Sequence, residues 1–374
     1  MSVAFRRAYN ELTEFVDKHP EIEIGDSVTS IPESVRAAFY GMFNDARDAF
    51  VTEKFASLLE RAAELQDNYN TELETASSWL SLEDPPSVDP VRRFLCDPKD
   101  CLARELFDPL FDLLKGRTSI DEIEKTVTSK IETLFASVFR AGYEKWVVLS
   151  LLNVLEVESS FRVFIRNMNA GERSKPAAQA PLEEVPVPQE SKSLFFSQPR
   201  NAIFTVPDFI AYSPRLHRFV GIRSDFHQSA YNAMNASNDR EWDGIDRDLL
   251  VLMSKGLTLV YVAEQVQAIS LVADAAKFCR PDLVLWCVDP QSMNQADVMA
   301  VMRQADSRLK PAGGVYMIAS GEWPEASVSP GGNVKKQQGE ESAGIHWLNA
   351  GYDRMKLTPV AEALVDSTDA ALST

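Results

Sequence analysis

The sequence predicts a multidomain α plus α/β chain, with a helical bundle over residues 1–169, a linker at 170–193 and a doubly wound parallel sheet over 194–374. Three observations carry this expectation. Apolar residues at helical spacing dominate the first half. The stretch AGERSKPAAQAPLEEVPVPQESKS, 170–193, holds four prolines and few large apolar side chains, so it reads as extended or disordered. After it, short β-like runs alternate with helical stretches, and the order βαβαβαβ is that of a parallel sheet with helices on both faces.

In the first half, Phe5, Tyr9, Leu12, Phe15 and Val16 make one apolar helical face, which His19 and Pro20 end. Ser30 and Glu33 form a capping-box pattern with Pro32 in the first turn. From there Val35, Phe39, Met42, Phe43, Phe50, Leu58 and Leu65 continue a helical face to Leu82, as one long helix or two in tandem. The prolines of LEDPPSVDP, 82–90, require a loop. Short helices follow over Val91–Cys96 and Cys101–Leu114, with Gly116 as a stop. A second capping box, Ser119 and Glu122, opens a helix buried through Ile123, Val127, Ile131 and Val138. A last helix through Trp146, Leu149, Leu152, Leu155 and Phe161 is expected after a break at Gly142.

A length of 374 residues fits roughly two domains at about 100–200 residues each. With 45% hydrophobic and 25% charged residues the chain has the composition of a folded protein. Its formal charge of −17 weighs against a sequence-independent grip on nucleic-acid phosphates, which needs clustered Lys and Arg. Cys96, Cys101, Cys279 and Cys287 match no zinc spacing, and the four histidines, His19, His217, His227 and His346, are scattered. No metal and no cofactor are therefore expected. The opening MSVAFRRAYNELTEF lacks the apolar core of a signal peptide, and the longest apolar stretch, Trp146–Val157, is short and broken by Asn153 and Glu156. A cytoplasmic protein without a membrane segment is the expectation.

In the second half, strands are expected at Ala202–Val206, Phe209–Tyr212, Arg218–Ile222, Leu257–Ala263, within RPDLVLWCVDP at 280–290, and at Gly314–Ser320. Helices are expected in the region leading to Ser254, at Gln265–Phe278 and at Asn294–Leu309. The 280–290 run, apolar between two proline turns, reads as the central strand, and its exit is where an open α/β sheet would place chemistry.

Leu257–Val288, LTLVYVAEQVQAISLVADAAKFCRPDLVLWCV, resembles the second strand, second helix and third strand of the response-regulator receiver family. Ala350–Pro359, AGYDRMKLTP, resembles that family's fifth-strand segment with its Lys and following Pro. The resemblance covers 218–372 and implies a flavodoxin-like sheet. It also implies that the family's magnesium-holding acids are replaced by Arg223 and Ser224, with Asp225 displaced by one, and that the phosphoacceptor position holds Cys287. Ser320 matches the family's hydroxyl residue and Lys356 its lysine. A cation at Arg223, facing Cys287 across the strand exits, opposes a magnesium site built from oxygens. The loop at 321–344 is longer and richer in Gly and Pro than the family's usual connection.

What the resemblance implies is a pseudo-receiver that cannot be phosphorylated. The expectation is a non-enzymatic regulatory or assembly protein acting on protein partners, with homo-oligomerisation left open. Other readings stand beside it. With the alignment shifted by two, Asp289 becomes the acceptor and Asp225 a metal ligand. Cys287 reads better as a core thiol than as a redox centre, and His227 is a weak base candidate. Arg308–Ile318, RLKPAGGVYMI, resembles a late segment of class I methyltransferases, but 223–227 has no glycine for the cofactor turn. Pro207, Asp208, Gly221 and Arg223 resemble a restriction-endonuclease-like motif without its metal ligands. Lys335 and Lys336 are the one hint of a nucleic-acid adaptor.

Overall fold

The computed structural model describes residues 3–25, 29–77, 90–167, 184–190, 209–223, 252, 255–266, 281–323 and 344–372. The chain divides into two compact units, Met1–Tyr69 with Ser87–Gly142, and Asn70–Pro86 with Tyr143–Thr374.

The first unit is helical. Helix α1, Val3–Lys18, buries Phe5 and Leu12. The backbone N–H groups of Val3 and Ala4 donate to the Glu53 carboxylate at 2.8 and 2.9 Å, so a side chain from another helix caps the α1 N-terminus. A two-residue ladder pairs β1, Glu23–Ile24, with β2, Thr29–Ser30. Helix α2, Glu33–Lys54, follows, and α3 spans Ala56–Ser77. The expected Ser30–Glu33 capping box does not form. Ser30 lies in β2, and the extended Pro32 holds the N-cap position without a side-chain bond. Three short helices, α4 (Pro90–Cys96), α5 (Pro98–Ala103) and α6 (Phe107–Leu114), come next, and Asp97 caps α5 through the Asp100 N–H at 2.9 Å.

Helix α7 runs unbroken over Ile120–Val154. Its Ser119–Glu122 capping box forms in both directions, at 2.9 and 3.3 Å. Gly142 does not break it. A methyl group there would lie 3.1 Å from Leu65 Cδ2 and 3.2 Å from Leu95 Cδ2, so this glycine serves the close approach of neighbouring leucines.

The expected bundle of 1–169 therefore ends too late. The last part of α7 belongs to the sheet unit, and Phe161 lies in strand β3, Ser159–Asn167, rather than in a helix. The physical reason is visible in the burial of every residue from Ala141 to Leu152. The stretch is covered on all sides, Glu144 and Lys145 included, and its pattern cannot say by what. The expected linker at 170–193 also contains a strand, β4, Glu184–Glu190, paired antiparallel with β3.

Among the described residues the second unit holds an eight-stranded mixed sheet in the order β10-β9-β8-β7-β6-β5-β3-β4. Here β5 is Phe209–Ser213, β6 Arg218–Arg223, β7 Thr258–Ala263, β8 Leu283–Val288, β9 Val315–Ala319 and β10 Ile345–Asn349. Among the described residues β8, β9 and β10 run parallel to one another, while β5, β6, β7 and β8 form an antiparallel succession. The doubly wound, all-parallel sheet is thus corrected to a mixed one. Strands buried on both faces read as parallel in sequence, yet burial records what covers a strand and not its direction.

The β8–α8–β9 crossover does form, with α8 at Gln295–Leu309. Its start is fixed by the Asn294 side chain, which accepts the Ala296 N–H at 2.8 Å. The strand joining β9 on its far side is Ile345–Asn349 and not Ala350–Pro359. The latter segment contains a 3₁₀ turn at Arg354–Leu357 and opens α9, Thr358–Leu372. The expected strand at Ala202–Val206, most of the Gln265–Phe278 helix, the helical region 224–254 apart from residue 252, and residues 82–89 and 324–343 of the two expected loops lie outside the described residues.

One core fills the α8 face of this sheet, through Leu259, Tyr261, Val284, Trp286, Val288, Met302 and Met317. Asp282, just before β8, is held within this frame. Its carboxylate accepts the Val262 N–H at 2.7 Å, its N–H donates to Val260 O, and its carbonyl accepts the Gly313 N–H. Burial raises its pKa against the opposing effect of those N–H bonds. A folded-state pKa above the unfolded one means that the folded protein binds the proton more tightly. The stabilising contribution is complete below the ordinary carboxyl range and is lost as pH rises through the raised value. Asp282→Asn, which stays neutral, is expected to flatten this part of the stability profile. Urea unfolding at mildly acidic and neutral pH checks it, with the variant gaining on wild type at neutral pH.

Candidate functional site

The carboxyl ends of β8, β9 and β10 form the end of the sheet where the sequence places its candidate residues. Cys287 is 1% exposed and paired in register with Ile318. It lies on the sheet face of Leu283 and Leu285, since alternate residues of a strand share a face. Arg223, also buried, lies on the other face. It is directly opposite Leu259, and Leu259 is opposite Val284, both members of the core under α8. Arg223 is therefore level with the beginning of β8 and does not face Cys287. The expected juxtaposition fails for a reason of register. With β7 antiparallel between them, the end of β6 aligns with Val284 rather than with the exit of β8. Ser224 and Asp225 lie outside the described residues, as do His227, Cys279, Lys335 and Lys336.

Asp289 follows β8 and is 1% exposed. Its Oδ1 accepts the Gln291 N–H at 3.3 Å, and its carbonyl accepts the Ser292 N–H and hydroxyl at 3.1 and 3.2 Å. These are the bonds of a turn-forming aspartate. Ser320 follows β9, with its N–H on Val288 O at 3.1 Å. Lys356 stands in the 3₁₀ turn and its Nζ donates to Asn349 O at 3.2 Å, closing the end of β10. The structure thus brings Cys287, Asp289 and Ser320 to one end of the sheet, while Lys356 binds the backbone there and Arg223 lies elsewhere.

What occupies this end is an aromatic group of which the sequence placed only Trp146, in its last expected helix. The Tyr143 hydroxyl lies 2.9 Å from both Ala319 O and Gly351 O, sharing one proton between two carbonyls. Tyr143 stacks on Trp146 at 5.5 Å, and both rings meet Tyr352 edge-on at 5.8 and 5.5 Å. Burial, with Cys287 and Tyr352 nearby, raises the Tyr143 phenol well above its usual range, so it remains a neutral donor. One residue on, the buried Glu144 accepts the Thr258 hydroxyl at the start of β7. On the α8 side, Trp286 Nε1 donates to Lys255 O at 3.1 Å. The signal for this cap was present in the sequence as tyrosine and tryptophan in a largely apolar helix stretch, because such side chains need a hydrogen-bond partner when buried.

Among the described residues, no group of three or more His, Cys, Asp or Glu side chains is placed to hold a metal ion. No helix among them is long and apolar enough to cross a membrane. No family model, curated protein or solved structure matches the chain.

Proposed function

We propose that the chain is a non-enzymatic regulatory or assembly protein of the cytoplasm that works through contacts with protein partners, and that its sheet unit is a receiver-like module unable to take a phosphoryl group. One observation carries the reading. The ends of β8 and β9, where an open α/β sheet would offer its chemistry, lie beneath the Tyr143–Trp146–Tyr352 cap, and the Tyr143 hydroxyl is bonded to the backbone there. Phosphoryl transfer needs an accessible carboxylate in line with the donor and a cation on the oxygens. Asp289 is buried, with its Oδ1 on the Gln291 N–H of the turn. The receiver-like character rests on the β8–α8–β9 crossover and the parallel β10 beside it.

The test is incubation with acetyl phosphate and magnesium, followed by intact mass and peptide mapping. The expected result is an unmodified chain. A stoichiometric aspartyl phosphate at Asp289 or Asp225 overturns the proposal, as does a saturable rise in melting temperature with a divalent metal or a methyl-donor cofactor.

A further inference from the structure

We propose that the first unit carries a docking groove for an acidic amphipathic segment of a partner protein, an inference that deepens the interaction role above and rests on it. Between α2 and α6 lies an open groove of about 700 Å³, floored by Tyr40, Phe107 and Phe111. Phe107 is 41% exposed, yet its ring is fixed from within. It meets the fully buried Phe43 at 5.4 Å and Phe111 at 5.3 Å, and the Arg47 guanidinium lies 5.8 Å from its centroid. A floor already held rigid loses little freedom when an apolar side chain covers it.

The charges around that floor are ordered along its length. Phe43 pairs with Phe107, and Phe39 with Phe111 at 6.1 Å, so α2 and α6 run in opposite directions along the groove. One turn further along each helix are Arg36 and Lys115, which therefore share one end. Asp108 marks the other end, about 10 Å away along α6. Arg36 donates only to the Ile31 carbonyl, at 3.2 and 3.4 Å, and neither Arg36 nor Lys115 has a carboxylate partner among the described residues. The remaining lining carboxylate, Asp112, is bridged by Arg117 at 3.4 Å. Among the described residues the groove thus presents two cations without a carboxylate partner and one carboxylate without a cation partner around an aromatic floor, in a chain of net charge −17. The occupant that satisfies it is an amphipathic helix with apolar anchors on the rings and carboxylates at the Arg36–Lys115 end.

The test uses three fluorescein-labelled amphipathic peptides with the same Leu and Phe anchors and with Glu, Gln or Lys at the polar positions. Their binding to the full chain is read by fluorescence anisotropy at 0.15 M salt, where the Debye length is about 8 Å and the overall charge is largely screened. The Glu peptide is expected to bind about five- to tenfold tighter than the Gln peptide, and the Lys peptide weakest. Arg36→Gln with Lys115→Gln should abolish that order. Lys125→Gln with Lys130→Gln, the same change of charge on the exposed side of α7, should keep it. Phe107→Ser should weaken all three peptides. No binding, equal affinities, a preference for the Lys peptide or equal loss in both double variants overturns the groove. Because the acetyl phosphate experiment concerns the other unit, failure here leaves that result standing and removes only this surface.

Discussion

Truncation of Tyr143 to alanine is expected to destabilise the sheet unit by about 3–5 kcal/mol, the usual range for losing a fully buried aromatic side chain. That is a large share of the roughly 5–15 kcal/mol that holds a typical domain folded. Two separable contributions make up the loss. The ring fills the space between Trp146 and Tyr352, and its hydroxyl serves Ala319 O and Gly351 O. Tyr143→Phe removes the second contribution alone. Ala319 O keeps the Gly351 N–H at 3.1 Å, so the cost falls mainly on the Gly351 carbonyl, at about 1–2 kcal/mol. Urea unfolding of both variants, with hydrogen exchange read at the β9 amides, measures the two contributions. A phenylalanine variant as stable as wild type would show that the hydroxyl contributes nothing to the closed strand ends. The functional proposal then loses its main support, because an idle hydroxyl would leave that end available.

Much of the helical unit was legible because its determinants are local. The Ser119–Glu122 box, the stop at Gly116 and the apolar stripes of α1 and α2 act within one or two turns, and a single sequence displays them. The Ser30–Glu33 box had the same pattern and did not form, since the N-cap falls on Pro32, two residues later than that box requires. In the sheet, the strands Arg218–Arg223, Thr258–Ala263, Leu283–Val288 and Val315–Ala319 were legible, as was α8. Their directions were not. The antiparallel pairing of β7 with both neighbours depends on where long connections lead, and an apolar run carries no arrow.

The site suffered from the same gap. Cys287, Asp289 and Ser320 were placed at one end of the sheet by their positions after apolar runs, and they lie there. Arg223 was placed by analogy with a parallel neighbour, and the intervening antiparallel strand moves it to another level and face. Tyr143 comes from far away in the chain, and only the tertiary fold relates it to Ala319 and Gly351.

The second large effect concerns the point where β8, β9 and β10 are set against one another. Gly314 precedes β9 with φ of +92°, a conformation that disfavours any side chain. A methyl group there would lie 2.7 Å from the Gly344 carbonyl oxygen and 3.2 Å from the His346 ring. That oxygen cannot move aside without cost, since it accepts the Val315 N–H at 2.6 Å, and Gly314 O accepts the Val284 N–H at 3.1 Å. Gly314→Ala therefore combines backbone strain of about 1–2 kcal/mol with an overlap against a bonded carbonyl, and a total loss of about 2–4 kcal/mol is expected. Gly351→Ala supplies the comparison. Gly351 also has a positive φ, of +54°, but open space around its missing side chain, so strain alone should cost it about 1 kcal/mol. Chemical denaturation of the two variants separates strain from overlap, and hydrogen exchange should show β10 losing protection only in Gly314→Ala. Equal losses at the two glycines would mean that the Gly344 carbonyl gives way freely, and that the parallel edge of the sheet is less firmly registered than its hydrogen bonds imply.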